Sequence, residues 1–598
     1  MLITLDFETY YDKDCNLRKL TTTEYVAYPS FKVWGVGIKI NNKKTRWYGE
    51  KKAALALEKI NWANVSLVCH NTRFDAYILS QIFGHRPRYY YDTMSMSRAV
   101  FQDESASLAE LSIRLFPEDL SLRKGEDLIQ AKGIETLDKE MDTIIGDYCI
   151  QDVELTKLCF DELMLNFPIS ERDLIHITIR MFVEPILKVD VIKLKKHRTK
   201  EKNKANRLIK NSGIEREVLA SNLKFTKLLK EMAIIVPTKI SPRTGKEIPA
   251  LGVNDPGFQQ MVRTYPEHEK LWKARQATKS RIEETRATRI LNATHPNGTI
   301  GVPLTYYAAH TGRFGGSDKL NMQNMPRGSV LRTCLIAPKS HYIYVADLSN
   351  IEARMLAWIS GQTDLLKQFE LGEDIYSNFA SRIYNETINE KEHPEKRFVG
   401  KTAILGLGYG MGARKFESTL KIKNIILEPG EAQKIVATYR TSYSNIVNYW
   451  KLAESLLNSC VNLNAMGNRA GPIYVGYKSL VLPNNLSLRY KDLHYSRKEG
   501  WRYLKRKNWI NIYGGSITEN IVQALSRIII TDAMLEIERK FPEYRIVLTV
   551  HDEIVIIAKD NKPDTVLKNI INTMCQSPDW CENLPLAAKG GYSESYSK

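Results

Sequence analysis

The sequence predicts a multidomain chain of α/β and α+β segments, on three observations. Its 598 residues correspond to roughly four domains at about 150 residues each. Hydrophobic residues make up 43% and charged residues 26%, a globular balance that excludes disordered and collagen-like chains. Strand-like and helix-like patterns alternate over about the first 160 residues, give way to long basic helical stretches, and return as mixed α/β from about Gly301.

In chain order, Leu2 to Phe7 and Lys32 to Ile40 read as strands and Val65 to Cys69 as a buried one, while Ile144 to Leu155 has helical spacing. Between about Ile169 and Ile290 two basic helical runs appear. One holds Lys193, Lys195, Lys196, Arg198, Lys200, Lys202, Lys204, Arg207 and Lys210, and the other Lys273, Arg275, Lys279, Arg281, Arg286 and Arg289. Each is equally a solvated helix face or a phosphate-binding one. Pro237 to Pro256 between them reads as a loop. Tyr342 to Asp347 is a strand, Glu352 to Ser360 starts a helix, and helices dominate to about Asn464. Arg545 to Ile557 reads as two strands joined at His551-Asp552.

The formal net charge of +18 fits a polyanionic partner such as nucleic acid, and also a merely basic protein. Eight cysteines without a CxxC pair argue against a zinc site or a disulfide scaffold and fit a reducing cytoplasm. Asp6 and Glu8 interrupt the only early apolar run, so no secretory signal is read. The apolar stretch around His551 is too short to span a bilayer, so a soluble protein with no membrane partner is expected.

Two sets of carboxylates stand out. Asp6 and Glu8, two apart on a strand, point to the same face. Asp75 follows a buried strand, and Tyr148 and Asp152, four apart on a helix, share a face. Four acids converging in one pocket repel unless hard divalent cations neutralise them. In the second set, Asp347 ends an apolar strand and Asp552 sits at the turn of a strand pair. Between them Arg397, Lys401, Leu405 and Tyr409, spaced by four, form one helical stripe. It suits a nucleoside triphosphate or, equally, the surface of an amphipathic helix. Gly400-Lys401-Thr402 is no phosphate loop, since position 395 is Glu, and Gly406-x-Gly408-x-Gly410 is no dinucleotide fingerprint.

Asp-x-Glu on the opening strand, Asn71-x-x-Phe74-Asp75 and Tyr148-x-x-x-Asp152 resemble the DEDDy 3′→5′ proofreading exonucleases. Asp347-Leu348-Ser349-Asn350-Ile351-Glu352-Ala353-Arg354, Arg397 to Tyr409 and Val550-His551-Asp552-Glu553 resemble motifs A, B and C of family A DNA polymerases, the class of bacterial DNA polymerase I and many phage replicases. Thr311-Gly312-Arg313, Asn321 to Pro326 and Thr518 to Ala524 match in family order.

The resemblance implies an RNase H-like exonuclease over 1–165, then a right-hand polymerase: thumb 166–298, first palm part 299–360, fingers 361–465 and second palm part 466–598. It implies template-directed primer extension with dNTPs, proofreading, and two Mg²⁺ ions at each site, with Mn²⁺ able to substitute. Asp6, Glu8, Asp75 and Asp152 are then metal ligands, with Tyr148 orienting the attacking water. Asp347 and Asp552 hold the polymerase metals. Arg397 and Lys401 bind phosphates, Tyr409 lies near the templating base, and Glu352 excludes a ribose 2′-hydroxyl. Arg313 and Gln523 read the minor groove, with Gln323, Asn324, His551 and the thumb's Lys279 also on DNA; Arg354 supports the site by pairing. Leu405 stands where the family usually has Phe or Tyr, Tyr376 where relatives commonly have a phosphate-contacting His, and Glu519 where Asn is usual.

Lys491 to Lys507, with Tyr490, Tyr495, Trp501 and Tyr503 interleaved, is either a second DNA-contacting surface or a solvated palm insertion. The chain opens on the exonuclease strand with no room for a 5′-nuclease domain. The resemblance therefore favours a monomeric phage replicase acting on primer–template DNA in the host bacterial cytoplasm. Helicase, primase or single-strand binding protein are its candidate accessory partners. The competing readings are a nuclease whose second half only clamps DNA, and a non-enzymatic DNA-binding replication factor.

Overall fold

A computed structural model describes residues 1–125, 127–241, 244–423, 425–559 and 561–597. The chain opens with β1 (Leu2–Thr9), β2 (Val33–Ile40), β3 (Arg46–Gly49), β4 (Ser66–Cys69) and β5 (Tyr89–Asp92), which form one sheet in the order β3-β2-β1-β4-β5. β1 runs antiparallel to β2 and parallel to β4, and β4 runs parallel to β5. The parallel pair needs a crossover, supplied by α1 (Thr72–Gln81). The 26-residue α2 (Lys139–Met164) covers β1, β2 and β3. Its first turn is capped by Asp138, which accepts from the Met141 N–H at 2.8 Å. A Cβ on Gly37 would lie 2.8 Å from Cys149 Sγ. Glycine at that position therefore lets α2 approach β2 closely enough to face Tyr148 and Asp152 toward β1.

The chain divides into two compact units, 1–188 with 299–327 and 336–598, and 189–298 with 328–335. Residues 166–188, expected to open the thumb, lie in the first unit. The reason is α3 (Ile169–Val183), which buries Leu174, Ile175, Ile177, Ile179, Met181 and Phe182 and packs against β5 and α1.

The second unit is helical around a core of Leu219, Phe225, Leu229, Phe258 and Trp272. α4 (Val191–Ser212) buries only Leu194 and otherwise presents its cations, ending at Gly213 with φ +68°. The second basic run is two helices, α5 (Glu269–Lys279) and α6 (Ile282–Asn292), both packed on α4. Arg275 departs from the expected basic face: it is fully buried, stacks 4.5 Å from the Phe225 ring centroid, and donates to the Leu219 carbonyl and Asn222 Oδ1. A guanidinium can be buried where carbonyl acceptors and an aromatic face replace water. The expected loop Pro237 to Pro256 holds a short hairpin, Thr238–Ile240 with Glu247–Pro249; Pro242 and Arg243 lie outside the described residues.

The large unit's second sheet uses β6 (His341–Leu348), which leads into α7 (Ile351–Ser360). Helices α8 (Ile375–Tyr384), α9 (Pro394–Leu407) and the 27-residue α10 (Gly514–Lys540) follow, then β7 (Arg545–Val550), β8 (Glu553–Lys559) and β9 (Ala588–Ser593). The strand order is β7-β8-β6-β9, all antiparallel. The register pairs Asp347 with Glu553, so the end of β6 meets the β7–β8 turn, and the Leu348 N–H donates to the Asp552 carbonyl at 3.0 Å. Lys491 to Lys507 belongs to strands His494–Ser496, Gly500–Lys505 and Asn508–Asn511. Tyr490, Trp501 and Tyr503 of that run are buried, and only Tyr495 is exposed, so most of its aromatics serve a core.

One buried ion pair ties these segments together. Glu171 of α3 receives Arg527 of α10 through both carboxylate oxygens, at 2.5 and 2.8 Å. The Tyr306 hydroxyl (2.5 Å) and Asn484 Nδ2 (2.6 Å) complete its coordination. Burial alone would raise the Glu171 carboxyl, but Arg527 and these donors outweigh it and hold it below the usual carboxylate range. Arg527→Leu should lower folding stability by about 3–5 kcal/mol, because it strands a buried charge. The paired Arg527→Leu, Glu171→Leu variant should recover much of the loss. Guanidinium unfolding of the variants checks this, and a double variant no better than the single one would contradict it.

Candidate active sites

Alternation along β1 places Asp6 and Glu8 on the face toward α2. Asp6, Glu8 and Cys149 present possible ligand atoms within 4.8 Å of one another. Asp75 lies in the first turn of α1, after Asn71 in the left-handed conformation (φ +72°), and its Oδ1 accepts the Phe7 N–H at 3.0 Å. Burial, and then the neighbouring Asp6, push the Glu8 and Asp75 carboxyls well above their usual values, and burial also raises Asp6. Lys124 partly offsets this for Asp6 and Glu8. It pairs with Asp152 and lies 4.6 Å from the Tyr148 ring centroid. Among the described residues Asp152 Oδ1 is buried without a hydrogen-bond partner. The five predicted residues of this site thus lie around one centre, with Cys149 and Lys124 added. An oxygen-rich donor set with a bare carboxylate oxygen fits hard divalent cations.

The second site is a cavity of about 820 Å³ lined by Asp347, Asp552, Glu352, Tyr376, Lys401, Leu405, Arg313, Gln323 and His551, among others. Asp347 is buried at the end of β6, 4.0 Å from Arg327. His551 takes φ +56° in the β7–β8 turn, which sets Asp552 beside the end of β6. Burial, and then Asp347, push the Asp552 carboxyl up to about 6. Two acids side by side in a polar cavity, Asp552 raised by Asp347, fit a cation site as well.

The helical stripe divides. Lys401 and Leu405 reach the cavity, Leu405 being 42% exposed. Arg397 is not among the cavity-lining residues; it is tied to Asp374 (2.6 and 3.3 Å) and Glu390 (3.3 Å). α9 ends at Leu407, so Tyr409 sits past the helix, and its hydroxyl lies 3.3 Å from Glu352 Oε2. Glu352 also pairs with Arg313. The Tyr376 ring lies under Arg397 (5.4 Å) and Lys401 (5.7 Å), and its hydroxyl donates to Asn350 Oδ1 at 2.9 Å. Arg354 is held by the Ser349 and Pro585 carbonyls, at 2.8 and 2.6 Å, rather than by an acid.

The predicted DNA-contacting residues are scattered. Gln323 is buried with its amide on the Thr549 carbonyl (2.9 Å), while Asn324 beside it is exposed. Gln523 bonds Glu519 (3.0 Å) and Thr311 (3.5 Å) and is not among the cavity-lining residues. Lys279 ends α5 in the other unit, exposed. Arg198 and Lys202 of α4 line a groove there with Glu284 and Thr288 of α6.

Sequence reasoning missed Cys149, Lys124 and Arg327. Cys149 was accessible from its place beside Tyr148. Lys124 and Arg327 lie in irregular segments with no periodicity to orient them.

A family model described as DNA polymerase family A matches residues 190–598, and one described as 3′–5′ exonuclease matches residues 48–167. Both families are metal-dependent in general. The chain is 26% identical over 351 residues to a DNA polymerase of Bacillus phage SP02, covering 50% of this chain and 53% of the relative. It is 24% identical over 602 residues to DNA polymerase I of Borreliella burgdorferi, covering 95% of this chain and 61% of the relative. The chain thus spans about half to three-fifths of these relatives' lengths. The fold matches the POL domain of Pol1 from M. smegmatis, solved in complex with DNA primer–template and dNTP. That match has a TM-score of 0.68 at 17% identity and covers 99% of this chain and 95% of the other. Among the described residues no helix is long and apolar enough to cross a membrane. With its polymerase motifs gathered round one acid-bearing cavity and its family model spanning the greater part of its length, the chain belongs to DNA polymerase family A.

Proposed function

We propose that the chain extends a primer 3′-hydroxyl on a DNA template with dNTPs, and that its N-terminal domain removes mispaired 3′ ends. The observation that carries the first activity is the convergence of Asp347 and Asp552 with Lys401 and Glu352 on one cavity large enough for a nucleotide. In the extension step the primer 3′-oxygen bonds to the α-phosphorus, the α–β phosphoanhydride bond breaks, and pyrophosphate leaves. Asp347 and Asp552 would hold Mg²⁺, two ions by family analogy, which when bound supply charge neutralisation and acidify the hydroxyl. Lys401 faces the phosphates and balances charge that develops on the leaving group. Glu352, held by Arg313 and Tyr409, would exclude a ribose 2′-hydroxyl. Arg397 must leave Asp374 to reach a triphosphate, or act by positioning Tyr376. The α4 groove would grip backbone phosphates, with salt-sensitive affinity. In the other domain Asp6, Glu8, Asp75 and Asp152 would hold the metals for hydrolysis, with Tyr148 directing water.

A labelled primer–template with Mg²⁺ tests both activities. Extension with dNTPs and shortening without them are expected, and no extension under any metal condition would overturn the reading. Asp347→Ala should cut extension about 10²–10³-fold while sparing degradation, and Asp6→Ala with Glu8→Ala should do the reverse.

The raised Asp552 carboxyl makes a pH prediction. A carboxyl whose folded value lies above its unfolded one favours folding at low pH and loses that contribution as pH rises from about 4 through about 6. Metal-free Asp552→Asn should therefore melt higher than wild type at pH 8, with the difference vanishing near pH 4. Extension by wild type should fall below about pH 6 as protons compete with metal. An Asp552→Asn melting curve that tracks wild type across this range would contradict the assignment.

Leu405, exposed in the cavity where the family usually has an aromatic ring, sets the last test. Leu405→Phe should change the ratio of dideoxynucleotide to deoxynucleotide incorporation, and equal ratios would refute a role in sugar discrimination.

A further inference from the structure

One segment, residues 313–323, touches both acid-bearing sites. Arg313 at its start and Gln323 at its end line the polymerase cavity. Midway, Ser317-Asp318-Lys319-Leu320 form a tight turn, closed by the Leu320 N–H on the Ser317 carbonyl at 2.9 Å. Both central residues are left-handed, Asp318 at φ +51° and Lys319 at φ +56°. Turns with two such residues favour Asn-Gly or Gly-Gly. A lysine there carries a conformational cost that glycine would not.

The side chains of the turn offset that cost. The Asp318 carboxylate accepts the Thr22 N–H through both oxygens, each at 2.9 Å. The exposed Lys319 ammonium donates to the Leu17 and Leu20 carbonyls, at 2.8 and 2.7 Å. The polymerase segment thus clasps a stretch of the exonuclease domain.

The clasped stretch leads to the exonuclease acids. Thr22 opens the helix Thr22–Val26. Tyr25 of that helix has its hydroxyl 2.8 Å from Thr9 Oγ1 and donates to the Tyr10 carbonyl at 2.5 Å, at the end of the strand that carries Asp6 and Glu8. Its ring lies 6.0 Å from that of Phe74, the neighbour of Asp75. Asp318 also attracts the Arg73 guanidinium, one residue further back in α1. The helix has a cap of its own, because Thr21 and Glu24 form a capping box. It can therefore form without Asp318; what the clasp adds is attachment to the segment of Arg313 and Gln323.

We propose that Asp318 and Lys319 are positioning residues for proofreading. They hold the acid-bearing framework of the exonuclease domain in register with the polymerase cavity, so that excision from a primer–template depends on them and degradation of a free strand does not. A free strand needs only the exonuclease acids. A primer still paired to its template must suit both sites at once, and small misplacements between reacting groups are costly. The proposal rests on the two activities read above.

The test replaces the turn by Asp318→Gly with Lys319→Gly in the full chain, which suits the backbone and removes both side chains. The substrates are a primer–template with a mispaired 3′ end, a matched primer–template and the primer strand alone, each with Mg²⁺. Excision from the mispaired primer–template should slow roughly tenfold. Degradation of the free strand and extension of the matched primer should stay within about twofold of wild type. The milder Lys319→Ala should show the same split to a smaller degree, and Lys319→Arg, which keeps a donor there, should excise like wild type. Hydrogen exchange at the Thr22 amide should quicken in the double-glycine variant, a readout of the contact that needs no catalysis. Equal losses on the mispaired and free-strand substrates, no loss on either, or an unchanged Thr22 amide would overturn the proposal. A wild type that neither extends nor shortens a primer would overturn the two activities and this role with them, whereas an active wild type whose variants show equal losses would overturn this role alone.

Discussion

Carboxylates brought together in a low-dielectric interior, with too few cations to neutralise them, set the terms for the rest of this structure. Glu8, Asp75 and Asp552 are all pushed upward by burial and by the carboxylates beside them. Glu171, just as buried, is held down by Arg527, Tyr306 and Asn484. The chain thus contains two kinds of buried acid: one that stabilises and one that is held in place at a cost. The satisfied pair lies beside the unsatisfied one, since Arg527 also lines the cavity of Asp347 and Asp552. A scaffold that joins α3, α10 and the Tyr306 segment through a bidentate ion pair can hold two repelling carboxylates in register. A loosely packed one would let them separate.

The same constraint explains where the acids sit on their elements. Asp347 and Asp552 lie at strand ends, where cavity solvent and a bound cation can reach them, and the antiparallel pairing of β6 with β8 brings the ends together. Asp6 and Glu8 lie within a strand, but the α2 face above them is relieved at Gly37 and carries Asp152. In both sheets backbone pairing, which is indifferent to side-chain charge, does the assembly. Lys124 shows the electrostatic demand from the other side, because it enters the acidic centre as the protein's own cation.

Cations sort by a parallel logic. The α4 run stays in solvent because only Leu194 anchors that helix. Arg275, equally basic in sequence, is buried because Phe225, Asn222 and the Leu219 carbonyl replace its water. Arg397 is turned to Asp374 and Glu390, whereas Lys401, one turn later, faces the cavity.

Both acid sets, the strands that carry them and the Lys401–Leu405 face could be read in the linear chain. They depend on periods of 2 and 3.6 residues and on motif spacing, which are local and covalent in origin. Tertiary packing alone placed Lys124, Cys149 and Arg327 beside the acids, buried Arg275, Trp501 and Tyr503, assigned α3 to the large unit, and brought the turn at Asp318 to Thr22. Each of these depends on packing between residues far apart in the chain or in segments without periodicity. Burial and charge there are properties of the assembled neighbourhood, not of the residue or its immediate neighbours.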